Sequence, residues 1–273
     1  MKTLVVMSGG GMPGLSIYAG ILHAFAMRDV RADEVHGTSA GAIAGALWMA
    51  KDFDGLAASA LIMSFRDADV RDPLPFWRTR HRWLNHFMRG KKVQAIVEEH
   101  LPWLVSDLPG VFRAYMVQDG TGEVYACEGN DYLWESVRAS SAIRGVFPPV
   151  QMKNGLYYSD GGTKRNVPLP SHWREFDRVI LCIATQPVDY TWRSGIITNL
   201  FTSIGELMEA QVERVLDEVR DEIGKKVIVI RPRVATSAST LRFDHALSIT
   251  AEREARAALD VWSATHNPEG KLL

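Results

Sequence analysis

Twice near its N-terminus the chain breaks an apolar run at a glycine turn and then takes up a helical pattern. Thr3-Leu4-Val5-Val6-Met7 runs into Ser8-Gly9-Gly10-Gly11-Met12-Pro13-Gly14 and on to Leu15-Ser16-Ile17-Tyr18-Ala19-Gly20-Ile21-Leu22. Val35-His36 runs into Gly37-Thr38-Ser39-Ala40-Gly41 and on to Ala42-Ile43-Ala44-Gly45-Ala46-Leu47-Trp48. Strands that are apolar on both faces belong inside parallel sheets covered by helices. Further strands are expected at 111–118, 123–127, 178–184 and 227–231, beside those at 3–8 and 34–36. Helices are expected at 14–28, 40–50, 54–64, 91–100, 131–140, 198–223 and 248–264. This alternation predicts an α/β protein, a three-layer α/β/α arrangement around a mainly parallel central sheet.

Composition narrows the class. With 273 residues, 47% apolar and 23% charged, the chain has enough apolar matter for one large α/β domain, and no linker-like stretch divides 1–273. A formal net charge of −1 argues against a globally basic nucleic-acid binder, so no nucleic-acid partner is expected. Cys127 and Cys182 are far apart and lack metal-ligand spacing, which suits a reducing compartment and gives no support for a disulfide framework or a metal site. The N-terminal apolar run is too short for a signal peptide, and no stretch is long enough to span a bilayer. A cytoplasmic protein is expected.

The second turn has the strand, tight turn, helix context of a nucleophile elbow, which makes Ser39 the candidate nucleophile, with Gly37 and Gly41 removing side chains that would crowd it. Helix N-terminal amides attract anions, and the glycines at 9, 10, 11 and 14 allow close approach. An ester oxyanion fits there. A phosphate also fits, because Gly9-x-Gly11-x-x-Gly14 satisfies the dinucleotide fingerprint. That fingerprint asks for an acid at the end of the second strand, yet Asp33 and Glu34 precede Val35, so the oxyanion role is favoured. A base candidate is Asp160, delivered by Leu156-Tyr157-Tyr158-Ser159 to the turn at Gly161 and Gly162. Taken alone, an aspartate before two glycines is more often a turn former.

Taken together, Gly9-Gly10-Gly11-Met12-Pro13-Gly14, Gly37-Thr38-Ser39-Ala40-Gly41, Ala139-Ser140-Ser141-Ala142-Ile143-Arg144-Gly145-Val146-Phe147-Pro148-Pro149 and Asp160-Gly161-Gly162 with Asn166-Val167-Pro168 resemble the patatin-like phospholipase family over roughly 3–170. The resemblance implies a Ser39–Asp160 dyad without histidine or cofactor, an oxyanion loop at Gly9, Gly10 and Gly11, and a lipid or acyl-ester substrate. Two positions depart from the family pattern: Pro13 stands where an arginine is usual, and Arg144 where a proline is usual. Proline is acceptable in a first helical turn, where its N–H would have had no intrahelical partner.

The nearest chemical competitor is a Ser-His-Asp hydrolase, whose order Ser39, Asp160 and His172 or His245 would satisfy. Neither histidine stands in a motif, and both read as surface or helix-cap residues; His36 reads as a strand residue packing its ring. One segment, 71–92, carries Arg71, Arg78, Arg80, Arg82, Arg89, Lys91 and Lys92 against Asp72, interleaved with Phe76, Trp77, Trp83 and Phe87. Such a mixture suits peripheral contact with an anionic bilayer, or a cap over the site entrance; a solvated loop with its rings turned inward is the other reading. The 198–223 helix puts Leu200, Ile204, Leu207, Met208, Val212, Val215, Leu216, Val219 and Ile223 on one face and Glu209, Glu213, Asp217 and Asp221 on a solvated one. The 186–202 stretch, with Tyr190 and Trp192, reads as a surface loop or an acyl-channel lining.

Overall fold

The computed structural model describes residues 1–74, 86–185, 196–234 and 242–266, of which 196–201 as backbone only. Strands β1 (Thr3–Met7), β2 (Glu34–Thr38), β3 (Val111–Gln118), β4 (Val124–Ala126), β5 (Val150–Gln151), β6 (Tyr157–Asp160), β7 (Arg178–Cys182) and β8 (Val227–Ile230) share one sheet. Its order is β5-β6-β3-β2-β1-β7-β8, with β4 alongside β3. The run from β3 to β8 is parallel, and β4, β5 and β6 make antiparallel pairs at the other edge.

Strand periodicity explains the layers. Val5 and Met7 leave β1 on the face covered by α1 (Gly11–Ala26), α2 (Ala40–Ala50) and the helix Ala246–His266. Leu4 and Val6 leave it on the other face, where Val212 and Val219 of the helix Ile196–Val219 and the ring of Trp173 cover them. β7 repeats the division, with Ile180 and Cys182 on one side and Val179 and Leu181 on the other. Helices therefore flank a central sheet, as two-sided apolar strands require.

Register decides where the chemistry lies. Thr38 of β2 stands opposite Tyr115 of β3, and the next β3 residue, Met116, stands opposite Asp160 of β6. β3 is thus the shared neighbour that brings the residue after Thr38 and the last residue of β6 to one end of the sheet. The β1 loop opens at the same end, where ligands of parallel α/β sheets bind.

Several expectations are corrected. Helix α1 begins at Gly11 rather than at 14, because first-turn amides need no intrahelical acceptor and Gly14 N–H already reaches Gly10 C=O at 3.0 Å. Leu207 is exposed rather than part of the buried helix face, Ile223 is exposed and lies beyond the helix, which ends at Val219 rather than at 223, and Leu200 lies where no side chain is described. The acidic face of this helix is not wholly solvated either: Glu209 and Glu213 both pair with Arg231, just past β8. Most of the aromatic and basic residues of 71–92, from Phe76 through Trp83, and the stretch with Tyr190 and Trp192, lie outside the described residues.

Candidate active site

Ser39 is the residue between β2 and α2, and its backbone sits at φ +54° and ψ −121°. Such a conformation in a residue with a Cβ costs on the order of 1–3 kcal/mol and persists only where its surroundings hold it. Ser39 N–H donates to the Ser140 hydroxyl at 3.0 Å, and that hydroxyl donates to the Tyr115 carbonyl at 2.6 Å. Thr38 Oγ1 donates to the Arg165 carbonyl at 2.7 Å. The flanking glycines are required by close approach: a Cβ on Gly37 would lie 2.7 Å from the Ala42 backbone, and one on Gly41 would lie 2.3 Å from the Met7 carbonyl.

Asp160 ends β6, buried, with its N–H donating to the Ala142 carbonyl at 3.0 Å. Its carboxylate accepts the Gly162 N–H at 2.7 Å. Burial pushes this carboxyl up to about 6, while hydrogen bonds from the Ser39 hydroxyl and the Gly162 amide and the nearby Arg138 guanidinium oppose the rise. Arg138 is itself buried, donates to the Gly90 carbonyl at 3.2 Å, and is pushed down to about 10 by the loss of solvent. Gly161 allows the turn to pass β3, since a Cβ there would lie 2.4 Å from the Tyr115 carbonyl.

The glycine loop lies over this pair. Gly9 comes close enough that a Cβ on it would touch Ser39 Cβ at 3.5 Å, but its N–H is committed to the Asn166 carbonyl at 3.1 Å. Gly10 is extended and Gly11 starts α1, so the amides that the helix leaves without an intrahelical acceptor sit next to the nucleophile. Pro13, third in the helix, removes no bond the helix would have made. Arg144, the other departure, is paired with Asp119 at 2.8 Å.

Sequence reasoning gave Ser140 and Asn166 no role of their own and read Met208 only as part of an apolar helix face. Ser140 and Asn166 lie in the motifs but act through contacts with distant segments. Asn166 binds the loop through its carbonyl, and its Nδ2 donates to Thr185 Oγ1 at 2.7 Å. Met208 Cε reaches to about 3 Å from where a Cβ would stand on either Gly9 or Gly162, so a thioether methyl roofs the pair of turns.

An apolar pocket of about 470 Å³, part of it open to solvent, adjoins Ser39 and Gly11 and is lined by Met12, Leu15, Ile43, Val70, Val93, Ile143 and Phe147. The described ends of 71–92 border it: Pro73 and Met88 form an antiparallel bridge, and Met88 N–H donates to the Val146 carbonyl at 2.8 Å. Phe87 packs against the same apolar cluster, and Asp72 accepts the Gly90 and Lys91 amides at the start of the helix Lys91–His100. The histidines are engaged elsewhere. His36 and His172 both bond to Glu34, His245 to the Phe65 carbonyl, and burial pushes His36 down to about 4. Cys127 and Cys182 are buried, free thiols.

Residues 5–173 match the family model described as patatin-like phospholipase. The chain is similar to the lysophospholipase NTE1 of Candida glabrata, 28% identical over 60% of this chain and 9% of that protein. It is also similar to the lysophospholipase NTE1 of Kluyveromyces lactis, 24% identical over 68% of this chain and 13% of that one. It thus spans only a small part of the length of these curated relatives. VipD from Legionella pneumophila shares the fold at a TM-score of 0.50 and 14% identity, covering 96% of this chain and 67% of VipD. Since the family match extends over more than half of its residues, this chain belongs to the patatin-like phospholipase family.

Proposed function

We propose that the protein is a serine lipid acyl hydrolase that cleaves acyl esters of phospholipids or related lipids through a Ser39–Asp160 dyad. The observation that carries this reading is a strained, buried serine set close to a desolvated carboxylate beside an apolar pocket. In the proposed reaction Ser39 Oγ attacks the acyl carbonyl carbon and its proton passes to Asp160. A carboxylate titrating near 6 is ionised at neutral pH and more basic than a solvated aspartate, which suits that transfer. The resulting oxyanion is held in the Gly9–Gly11 loop, with Gly10 and Gly11 as donors and Gly9 shaping the loop. Collapse expels the alcohol, which takes the proton from Asp160. Water then repeats the sequence on the acyl-enzyme and frees the fatty acid and Ser39. These steps use only Ser39, Asp160 and backbone amides.

The pocket lined by Ile143, Phe147 and Val93 fits an acyl chain. The named activity of the yeast relatives makes a lysophospholipid the first substrate to test. No described helix is long and apolar enough to cross a membrane. Peripheral contact through 71–92, with Arg78, Arg80 and Arg82 meeting lipid phosphates, is part of the proposal and rests on composition. The same reading takes 1–273 as one acyl-hydrolase domain, supported by β8 and the helix Ala246–His266, which lie beyond the family match and complete the sheet and its cover.

The test is fluorophosphonate labelling followed by assay on lysophospholipid and phospholipid vesicles and on short-chain chromogenic esters. Labelling of the wild type, none of Ser39→Ala, and turnover of lipid are expected. Labelling and ester turnover that survive in Ser39→Ala would reject the nucleophile. Turnover of short soluble esters alone would favour a soluble esterase on the same scaffold.

A further inference from the structure

Glu34 and His36 are two apart on β2, so both side chains leave the same face of the sheet. On that face His172, from the segment between Arg165 and β7, folds against them. His36 Nε2 and His172 Nε2 each lie 3.1 Å from Glu34 Oε2, and the three candidate donor atoms all fall within 4.8 Å of one another. Ligands bound to zinc at about 2.0–2.1 Å in tetrahedral geometry stand roughly 3.3 Å apart. Both histidine–carboxylate spacings therefore already suit a shared ion, and closing the gap between the two rings falls to His172, whose side chain is 40% exposed.

The surroundings of His36 are those of a metal-binding imidazole. Its other nitrogen, Nδ1, is 2.9 Å from the Tyr115 hydroxyl. The hydroxyl can donate to Nδ1 or accept from it, so this bond holds the ring in place in either tautomer; with an ion on Nε2, Nδ1–H would donate to that oxygen. Lys2 Nζ stands 3.9 Å from the opposite carboxylate oxygen, Oε1, and leaves Oε2 to the two rings. In the hydrogen-bonded form the rings donate Nε2–H to Oε2; an ion takes the place of those two hydrogens.

We infer that Glu34, His36 and His172 form a site for zinc(II) or a similar first-row divalent cation, separate from the hydrolase machinery. Two histidines and one carboxylate with a solvent-side position are a zinc-type donor set. An ion there would staple β2, the strand that leads into Ser39, to the segment that follows Asp160. Cysteine spacing gave no hint of it, because the site depends on His172 folding back onto β2.

The test is titration of chelator-treated, full-length protein with zinc chloride, by calorimetry and by competition with a chromophoric chelator. One zinc per chain is expected, with a zinc-dependent rise in melting temperature. His172→Ala and Glu34→Gln should each weaken binding at least tenfold and abolish the rise, while His266→Ala leaves both unchanged. His172 is at the surface, so its variant reports on binding even where substitution of buried His36 prevents folding. Absence of stoichiometric binding, or binding indifferent to both His172→Ala and Glu34→Gln, would overturn the assignment.

Discussion

Ser140 holds Ser39 from behind: its hydroxyl accepts the Ser39 N–H at 3.0 Å and donates to the Tyr115 carbonyl at 2.6 Å. One buried side chain thereby ties the strained elbow to β3, the strand that also registers Asp160. Ser140→Ala leaves a buried donor and a buried acceptor unpaired, at a cost of about 1–3 kcal/mol. The expected outcome is a melting temperature lower by several degrees and a kcat lower by about tenfold or more, since small misplacements of reacting groups are expensive. KM for a short ester should hold, because Ser140 does not line the pocket. An unchanged kcat would show that the elbow keeps its geometry without this link.

The pH dependence of turnover reads Asp160 directly. The base must be ionised, and burial pushes its carboxyl up to about 6, so kcat/KM should rise with pH through about 6 and level off above it. Arg138 stabilises the ionised form. Arg138→Gln should therefore move the rising limb to higher pH, a shift that a purely structural role would not produce. A profile flat down to pH 4.5 would remove Asp160 from the role of base.

The same shift predicts that the dyad costs stability. Asp160 titrates near 6 when folded and near 3.8 when unfolded, so the folded state holds its proton over that window while the unfolded state has lost it. The Asp160 contribution to stability therefore declines as pH rises from about 4 to 6 and is flat above, by about 3 kcal/mol in total for two units. His36, held near 4, contributes in the opposite sense over the same window, so the difference between wild type and an Asp160 variant isolates the Asp160 part. Asp160→Asn mimics the neutral acid at every pH. Melting curves should show it more stable than the wild type at pH 8 and equal to it near pH 4, with hydrolysis lost throughout.

Both glycine turns and both apolar strands could be read from the sequence because each is a local pattern: a run, a spacing and a following helix. Ser39 as a candidate nucleophile was legible for the same reason, whereas Asp160, a turn former when taken alone, stood out as a candidate only through the four motifs together. The contacts that set their geometry were not. Ser140 reaches Ser39 from the end of the helix Leu133–Ser140, Asn166 takes the Gly9 amide across the chain, and Met208 arrives from a helix beyond β7, all products of tertiary register. Leu207 misled for the converse reason: helical spacing marks a face but not how far the neighbouring layer reaches, and this residue stands 59% exposed. His172 looked like a surface residue and is half one, its ring tip engaged with Glu34.

The elbow predicts an asymmetry among glycine substitutions. A Cβ on Gly41 would lie 2.3 Å from the Met7 carbonyl, and the nearest atoms it would meet there are all backbone, which cannot swing aside as a side chain can. Gly41→Ala should cost about 3 kcal/mol or more and leave the protein poorly folded or insoluble. Gly120 has φ +97° but open space around it. Gly120→Ala should cost about 1–2 kcal/mol for its left-handed backbone and leave hydrolysis intact. Denaturant melts of the two variants give the comparison, and equal costs would show that steric contact at the elbow is not what requires glycine.

Acyl-chain preference should be set by the pocket beside Ser39. Each methylene moved from water into an apolar wall contributes about 0.8 kcal/mol, or about fourfold in kcat/KM, until the wall ends. A series of esters of increasing chain length should therefore rise steeply and then level off at the length that fills the space between Met12, Val93, Ile143 and Phe147. Ile143 is only partly buried, so Ile143→Trp can be accommodated while its indole occupies part of that space. In the variant the plateau should come at a shorter chain, with acetyl and butyryl esters turned over at near wild-type rates because Ser39, Asp160 and the loop are untouched. A uniform loss across the series would mean that the substitution disturbs the elbow, and an unchanged plateau would mean that the acyl chain runs elsewhere.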